Sequence, residues 1–138
     1  MYRHESEETK ELSEALHKLY NPKLGKYKRV CVAPLRYPGG KSLAVGHILE
    51  HLPVIRNKKM VSLFLGGGSV EVFMASLGYQ VVAYDVFDIL CNFWQILCEP
   101  ASREQMVNIL STFRIDREEF TLNREILFHY WNKNKPPP

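Results

Sequence analysis

Met60-Val61-Ser62-Leu63-Phe64-Leu65-Gly66-Gly67-Gly68-Ser69-Val70 is the stretch on which the fold turns. A run of strand length, apolar but for Ser62, meets three glycines, and Val70, Phe73, Met74 and Leu77 then recur at helical spacing. Gly78 closes that helix, Val81 to Tyr84 forms a second short apolar strand, and Asp85 stands at its carboxyl end. Strand, glycine turn, helix and strand make a βαβ unit, whose two strands run parallel. Residues 61–100 hold no Lys or Arg, as buried elements exclude unpaired charge, so this block is expected to form the core.

Upstream, Leu12, Ala15, Leu16, Leu19 and Tyr20 form one apolar stripe that predicts an amphipathic helix over residues 6–20, stopped by Asn21-Pro22. A polar linker is expected over 23–29 and an extended segment over 30–35. Tyr37-Pro38-Gly39-Gly40 reads as a turn, with a helix over 42–51 ended by Pro53. Downstream, residues 86–98 are apolar around much of a helix, which implies cover on more than one side. Ser102-Arg103-Glu104-Gln105 and Asp116-Arg117-Glu118-Glu119 both have capping-box spacing, so the last third is expected to be helical. Residues 132–138 end in three prolines and read as a frayed terminus.

With 138 residues the chain is one ordinary domain in length, and 46% hydrophobic with 24% charged residues is a globular composition. No stretch is long and apolar enough to span a membrane, and the charged start is unlike a signal peptide, so an intracellular setting, cytoplasmic or nuclear, is expected. Three cysteines, Cys31, Cys91 and Cys98, lack paired spacing and read as buried free thiols. Successive blocks 1–20, 21–60, 61–100 and 101–138 carry net charges of −2, +8, −4 and +1. The basic block suits either a solvated surface or an anionic partner such as DNA phosphates or a ligand carboxylate.

Spacing discriminates among the nucleotide-binding readings of the glycines. Gly40-Lys41-Ser42 resembles the end of a phosphate-binding loop, but Leu35 stands where its first glycine must be. A dinucleotide fingerprint needs glycine three residues after Gly68, where this chain has Glu71. What survives is a small glycine turn followed nineteen residues after Gly66 by Asp85, placed to accept hydrogen bonds from a ribose diol. A nucleoside ligand that needs no phosphate cradle matches this pattern, S-adenosylmethionine best of all. The plainer reading is that the glycines only turn the chain and Asp85 caps the next helix. His47-Ile48-Leu49-Glu50-His51 matches a zinc-hydrolase pattern, yet no third ligand is in view, and an ordinary amphipathic helix accounts for it.

Pro34-Leu35-Arg36-Tyr37-Pro38-Gly39-Gly40-Lys41-Ser42, then Phe64-Leu65-Gly66-Gly67-Gly68-Ser69-Val70, then Tyr84-Asp85, resembles in order and spacing the Dam-like family of adenine-specific DNA methyltransferases. The likeness covers residues 33–97, the amino-terminal, cofactor-binding portion of such an enzyme. It implies an α/β chain carrying part of a Rossmann-like methyltransferase fold with a helical tail, S-adenosylmethionine as cofactor and double-stranded DNA as partner. It also implies cofactor contacts at Tyr37, Lys41, Phe64, Gly66, Gly68 and Asp85. Tyr37 would offer a π-face, Lys41 a cation for the methionine carboxylate, and Asp85 an anion for the ribose hydroxyls. Residues 1–29 then form a helix and basic linker, 30–98 the cofactor-binding portion, and 99–138 the start of a target-recognition-like region. In that region Arg114, Arg117 and Arg124 suit either phosphate contacts or helix-surface ion pairs.

Two departures accompany the likeness. The family carries an acidic residue and a proline immediately before the Phe of the glycine motif, whereas this chain has Ser62-Leu63. Its catalytic Asp-Pro-Pro-Tyr type tetrapeptide does not occur, so no catalytic residue and no metal ligand is assigned. The chain thus reads as a truncated or split methyltransferase, its sheet completed by a downstream segment or a second chain. The alternative is an inactive methyltransferase-like module that binds cofactor or protein.

Overall fold

Leu12, Leu16 and Leu19, one stripe of helix α1 (Glu7–Leu19), pack against a core that lies in the first half of the chain. The computed structural model describes residues 7–30, 33–52, 56–114 and 116–131, and these divide into two units, Met1–Val86 and Phe87–Pro138. In the first unit the supposed linker is a hairpin. Strand β1 (Tyr20–Asn21) pairs antiparallel with β2 (Lys26–Tyr27), Leu24 N donates to Asn21 O at 3.2 Å, and Gly25 takes a φ of +60° that favours glycine.

The extended segment expected over 30–35 is no strand in its described part. Val30 N donates instead to Ser42 O at 2.9 Å, and residues 31–32 lie outside the described ones. Helix α2 (Val45–Glu50) starts three residues later than predicted, because Ser42 to Ala44 form a turn first, with Ala44 N donating to Lys41 O at 2.7 Å. Pro53, the expected stop, is outside the described residues. Inside α2, Gly46 faces the Tyr27 ring so closely that an added Cβ would overlap it, lying 2.7 Å from the Tyr27 Cβ. That close approach is what seats the hairpin on the helix.

The βαβ unit forms as read. Strand β3 (Lys59–Ser62), helix α3 (Ser69–Ser76) and strand β4 (Gln80–Ala83) follow in order, with β3 and β4 parallel and Met60 opposite Val81. Tyr84 N→Ser62 O at 2.8 Å and Leu65 N→Tyr84 O at 2.9 Å carry the pairing on, so the glycine turn and Asp85 emerge side by side at the carboxyl ends. Helices with two small two-stranded sheets make this an α/β chain.

The core is not confined to residues 61–100. Val70, Met74 and Tyr79 from that block are buried together with Val30, Val45 and Leu49 from before it. The other face of the β3–β4 sheet is bare: Val61 and Leu63 are 65% and 64% exposed. Among the described residues of the first unit, two strands with a single helix layer give that face nothing to pack on.

In the second unit, α4 (Asp88–Cys98) packs on α5 (Pro100–Thr112), and α6 (Arg117–Trp131) follows. Only Leu90 of α4 is buried, so the cover expected around this helix is missing. For the same reason the thiols are not buried: Cys91 is half-buried and Cys98 exposed, while Cys31 falls outside the described residues, as does the proline end. The cap of α5 is Glu99, whose carboxylate accepts from Ala101 N and Ser102 N, with Pro100 in the first turn. Ser102 is therefore inside the helix rather than its cap; Glu99, three residues earlier, already caps the amides of Ala101 and Ser102, and Pro100 fixes the start there. The second predicted cap holds, with Glu119 N donating to Asp116 Oδ1 at 2.8 Å.

The Ser102 side chain first, and then the two backbone amides, hold the Glu99 carboxyl below its ordinary range. A carboxyl lowered by folding stabilises the fold above its unfolded pKa and loses that contribution as pH falls through the folded one. Far-UV circular dichroism from pH 7 to pH 3 is expected to show helix loss on acidification below the usual glutamate range. Glu99→Ala starts less helical at neutral pH and loses less over the same window.

Candidate functional site

Tyr37-Pro38-Gly39-Gly40 folds as a tight turn in which Gly40 N donates to Tyr37 O at 2.9 Å. Pro38 sits second and Gly39, with φ of +75°, third, as a type II turn requires. The turn aims Tyr37 at the second motif: a Cβ on Gly66 would stand 3.6 Å from Tyr37 Cδ1, and one on Gly67 only 2.9 Å from Tyr37 Cβ. A side chain at Gly67 would displace Tyr37, whereas one at Gly66 would only touch the ring and is disfavoured by the positive φ there. Lys41 Nζ donates to Gly39 O at 2.7 Å, which holds the ammonium over the same turn.

The glycine turn closes with Gly68 N donating to Leu65 O at 2.9 Å; Gly66 and Gly68 take φ of +50° and +68°. Gly66 N donates to Asp85 Oδ2 at 2.8 Å across the parallel pair. The carboxylate thus organises the turn as well as facing it, a role that the sequence did not reveal.

All six residues singled out in the sequence, Tyr37, Lys41, Phe64, Gly66, Gly68 and Asp85, line one cavity of about 540 Å³. Phe64 stands at its rim, 83% exposed. The cavity also contains a residue that motif reasoning passed over. Glu71, in the first turn of α3, lines it with only 9% exposure, and Ser62 Oγ donates to Glu71 Oε1 at 2.6 Å. In the sequence Glu71 registered only as the place of a missing glycine; the apolar Met74 three residues on, on the same helix face, was the signal that it points inward.

The histidines of the zinc-like pattern are occupied locally. The His47 ring meets Tyr27 edge-on at 4.9 Å, and the His51 ring nitrogen Nδ1 lies 2.8 Å from the His47 carbonyl oxygen. Burial first, and then the Glu50 carboxylate, raise the Tyr27 hydroxyl above its ordinary pKa. No group of three His, Cys, Asp or Glu suited to a metal occurs among the described residues. In the second unit, Arg114 pairs with Asp116 at 3.2 Å and Arg124 lies over the Phe128 ring at 5.2 Å. No helix among the described residues is long and apolar enough to cross a membrane.

A family model described as D12 class N6 adenine-specific DNA methyltransferase matches residues 37–135, taking in both turns, Asp85 and the three following helices. No curated protein and no solved structure matches the chain.

Proposed function

The chain belongs to the D12 class N6 adenine-specific DNA methyltransferase family, and from that premise we propose that its cavity binds S-adenosylmethionine as part of an enzyme methylating the amino nitrogen of adenine in DNA. The observation that carries this reading is the meeting of the two motifs: Tyr37 lies against Gly66 and Gly67, with Asp85 bonded to the same turn. The donor set suits the cofactor. Tyr37 and Phe64 offer aromatic surface, Lys41 a cation for the methionine carboxylate, and Asp85 an acceptor for the ribose hydroxyls. Gly66 and Gly68 take the positive φ that the close turn of the backbone around the cavity uses. S-adenosylmethionine supplies an activated methyl group; these residues bind and orient it.

On this reading residues 30–98 are the cofactor-binding portion of a Rossmann-like fold, after a helix and basic segment over 1–29. Residues 99–138 begin a target-recognition-like region, double-stranded DNA is the partner, and the protein works where DNA is, in cytoplasm or nucleus. Methyl transfer needs the adenine amino group held beside the methyl, and the tetrapeptide that grips a flipped base is not among these 138 residues. Another segment or a second chain must supply it, and the bare β3–β4 face, which lacks its second layer, supports such completion. The missing tetrapeptide equally favours a second reading, a module that binds cofactor without catalysis.

Calorimetric titration of the 138-residue chain with S-adenosylmethionine tests the site. Saturable binding to one site per chain is expected. A folded chain that takes up no cofactor would overturn the assignment.

A further inference from the structure

Ser62 and Met60 share the face of β3 turned toward α3, and Glu71 stands in the first turn of that helix, so strand and helix bring hydroxyl and carboxylate together. Glu71 is the buried charged side chain of the described residues, and no described cation is ion-paired with it. One neutral hydroxyl does not balance a carboxylate held away from water. No buried side-chain oxygen among the described residues lacks a hydrogen bond, so the second Glu71 oxygen, to which nothing described donates, is reached from the cavity that the residue lines. That cavity therefore presents a fixed carboxylate to its occupant, and Lys41 is among the residues that line the same cavity.

We propose that Glu71 is a ligand-binding residue that pairs with the α-ammonium group of an amino-acid-bearing nucleoside, while Lys41 meets the α-carboxylate. The inference rests on the S-adenosylmethionine reading of the cavity and deepens it. One anion and one cation match a zwitterion, whereas a phosphorylated nucleotide would meet the buried carboxylate as a like charge. Ser62 acts as a positioning residue, fixing one carboxylate oxygen so that the other faces the ligand.

The test compares wild type with Glu71→Gln by calorimetry, using S-adenosylmethionine, S-adenosylhomocysteine, which lacks the sulfonium charge, and methylthioadenosine, which lacks the amino-acid end. Gln is close in shape and keeps an oxygen for Ser62. Glu71→Gln is expected to weaken both amino-acid ligands by about 10- to 100-fold and to leave methylthioadenosine unchanged. Equal loss for all three would mean a structural role; loss for S-adenosylmethionine alone would put the carboxylate at the sulfonium. Either result, or no loss, overturns the proposal while leaving the cofactor site standing; a wild-type chain that binds none of them overturns both. Should the variant fail to fold, wild type alone decides: it must prefer S-adenosylhomocysteine to its deaminated analogue by a similar factor, and indifference refutes the pairing.

Discussion

Asp85→Ala is expected to cut S-adenosylmethionine affinity by at least about 100-fold. Two contributions are lost together. A carboxylate accepting from a ribose hydroxyl makes a charge-assisted bond of about 1.5–3 kcal/mol, and the diol offers two such hydroxyls. The second contribution is the anchor of the glycine turn, since Gly66 N donates to Asp85 Oδ2. Asp85→Asn separates them: an amide oxygen still accepts from Gly66 N, so the turn should persist while the charge is gone. Binding by Asp85→Asn should fall between wild type and Asp85→Ala. Calorimetry reads the affinity, and amide exchange at Gly66 and Gly68 reads the turn, protected in wild type and Asn and faster in Ala. Wild-type affinity in Asp85→Ala would remove Asp85 from the site.

The βαβ unit and its cavity were legible because they rest on local signals. Apolar runs of strand length, glycines between strand and helix, and an acid after the second strand each constrain the chain within a few residues. The hairpin at Tyr20 to Tyr27 was not read, although Gly25 is the residue that its turn needs; its two-residue strands are too short to show alternation. Helix α5 was placed but its cap was not, since Glu99 and Ser102 each offer an oxygen that can cap a helix and Pro100, favoured in a first turn, sets the start at Glu99. Glu71 was missed for a different reason. Its meaning depends on Ser62 across a strand–helix contact, and nothing in either residue alone announces the other. Burial of α4 and its thiols was overestimated because apolar composition states what a helix can bury, not whether the chain provides the cover.

Met74→Ala should be the most damaging core substitution in the first unit. Met74 is wholly buried on α3 among Val30, Val45, Leu49, Val70 and Tyr79, and truncating such a side chain costs about 2–5 kcal/mol. Natural domains retain on the order of 0.05–0.15 kcal/mol per residue, and a unit whose sheet packs on one face only is expected near the low end. The variant should therefore leave the first unit close to its unfolding midpoint at room temperature. Amide exchange in β3 and β4 reads the first unit directly, with protection falling by about the same free energy. Val61→Ala is the control on the opposite face of the same sheet: with Val61 65% exposed, its cost should stay within about 0.5 kcal/mol. A larger cost that grows with protein concentration would mean that a second copy covers the bare face in solution, since only an associating surface makes stability depend on concentration.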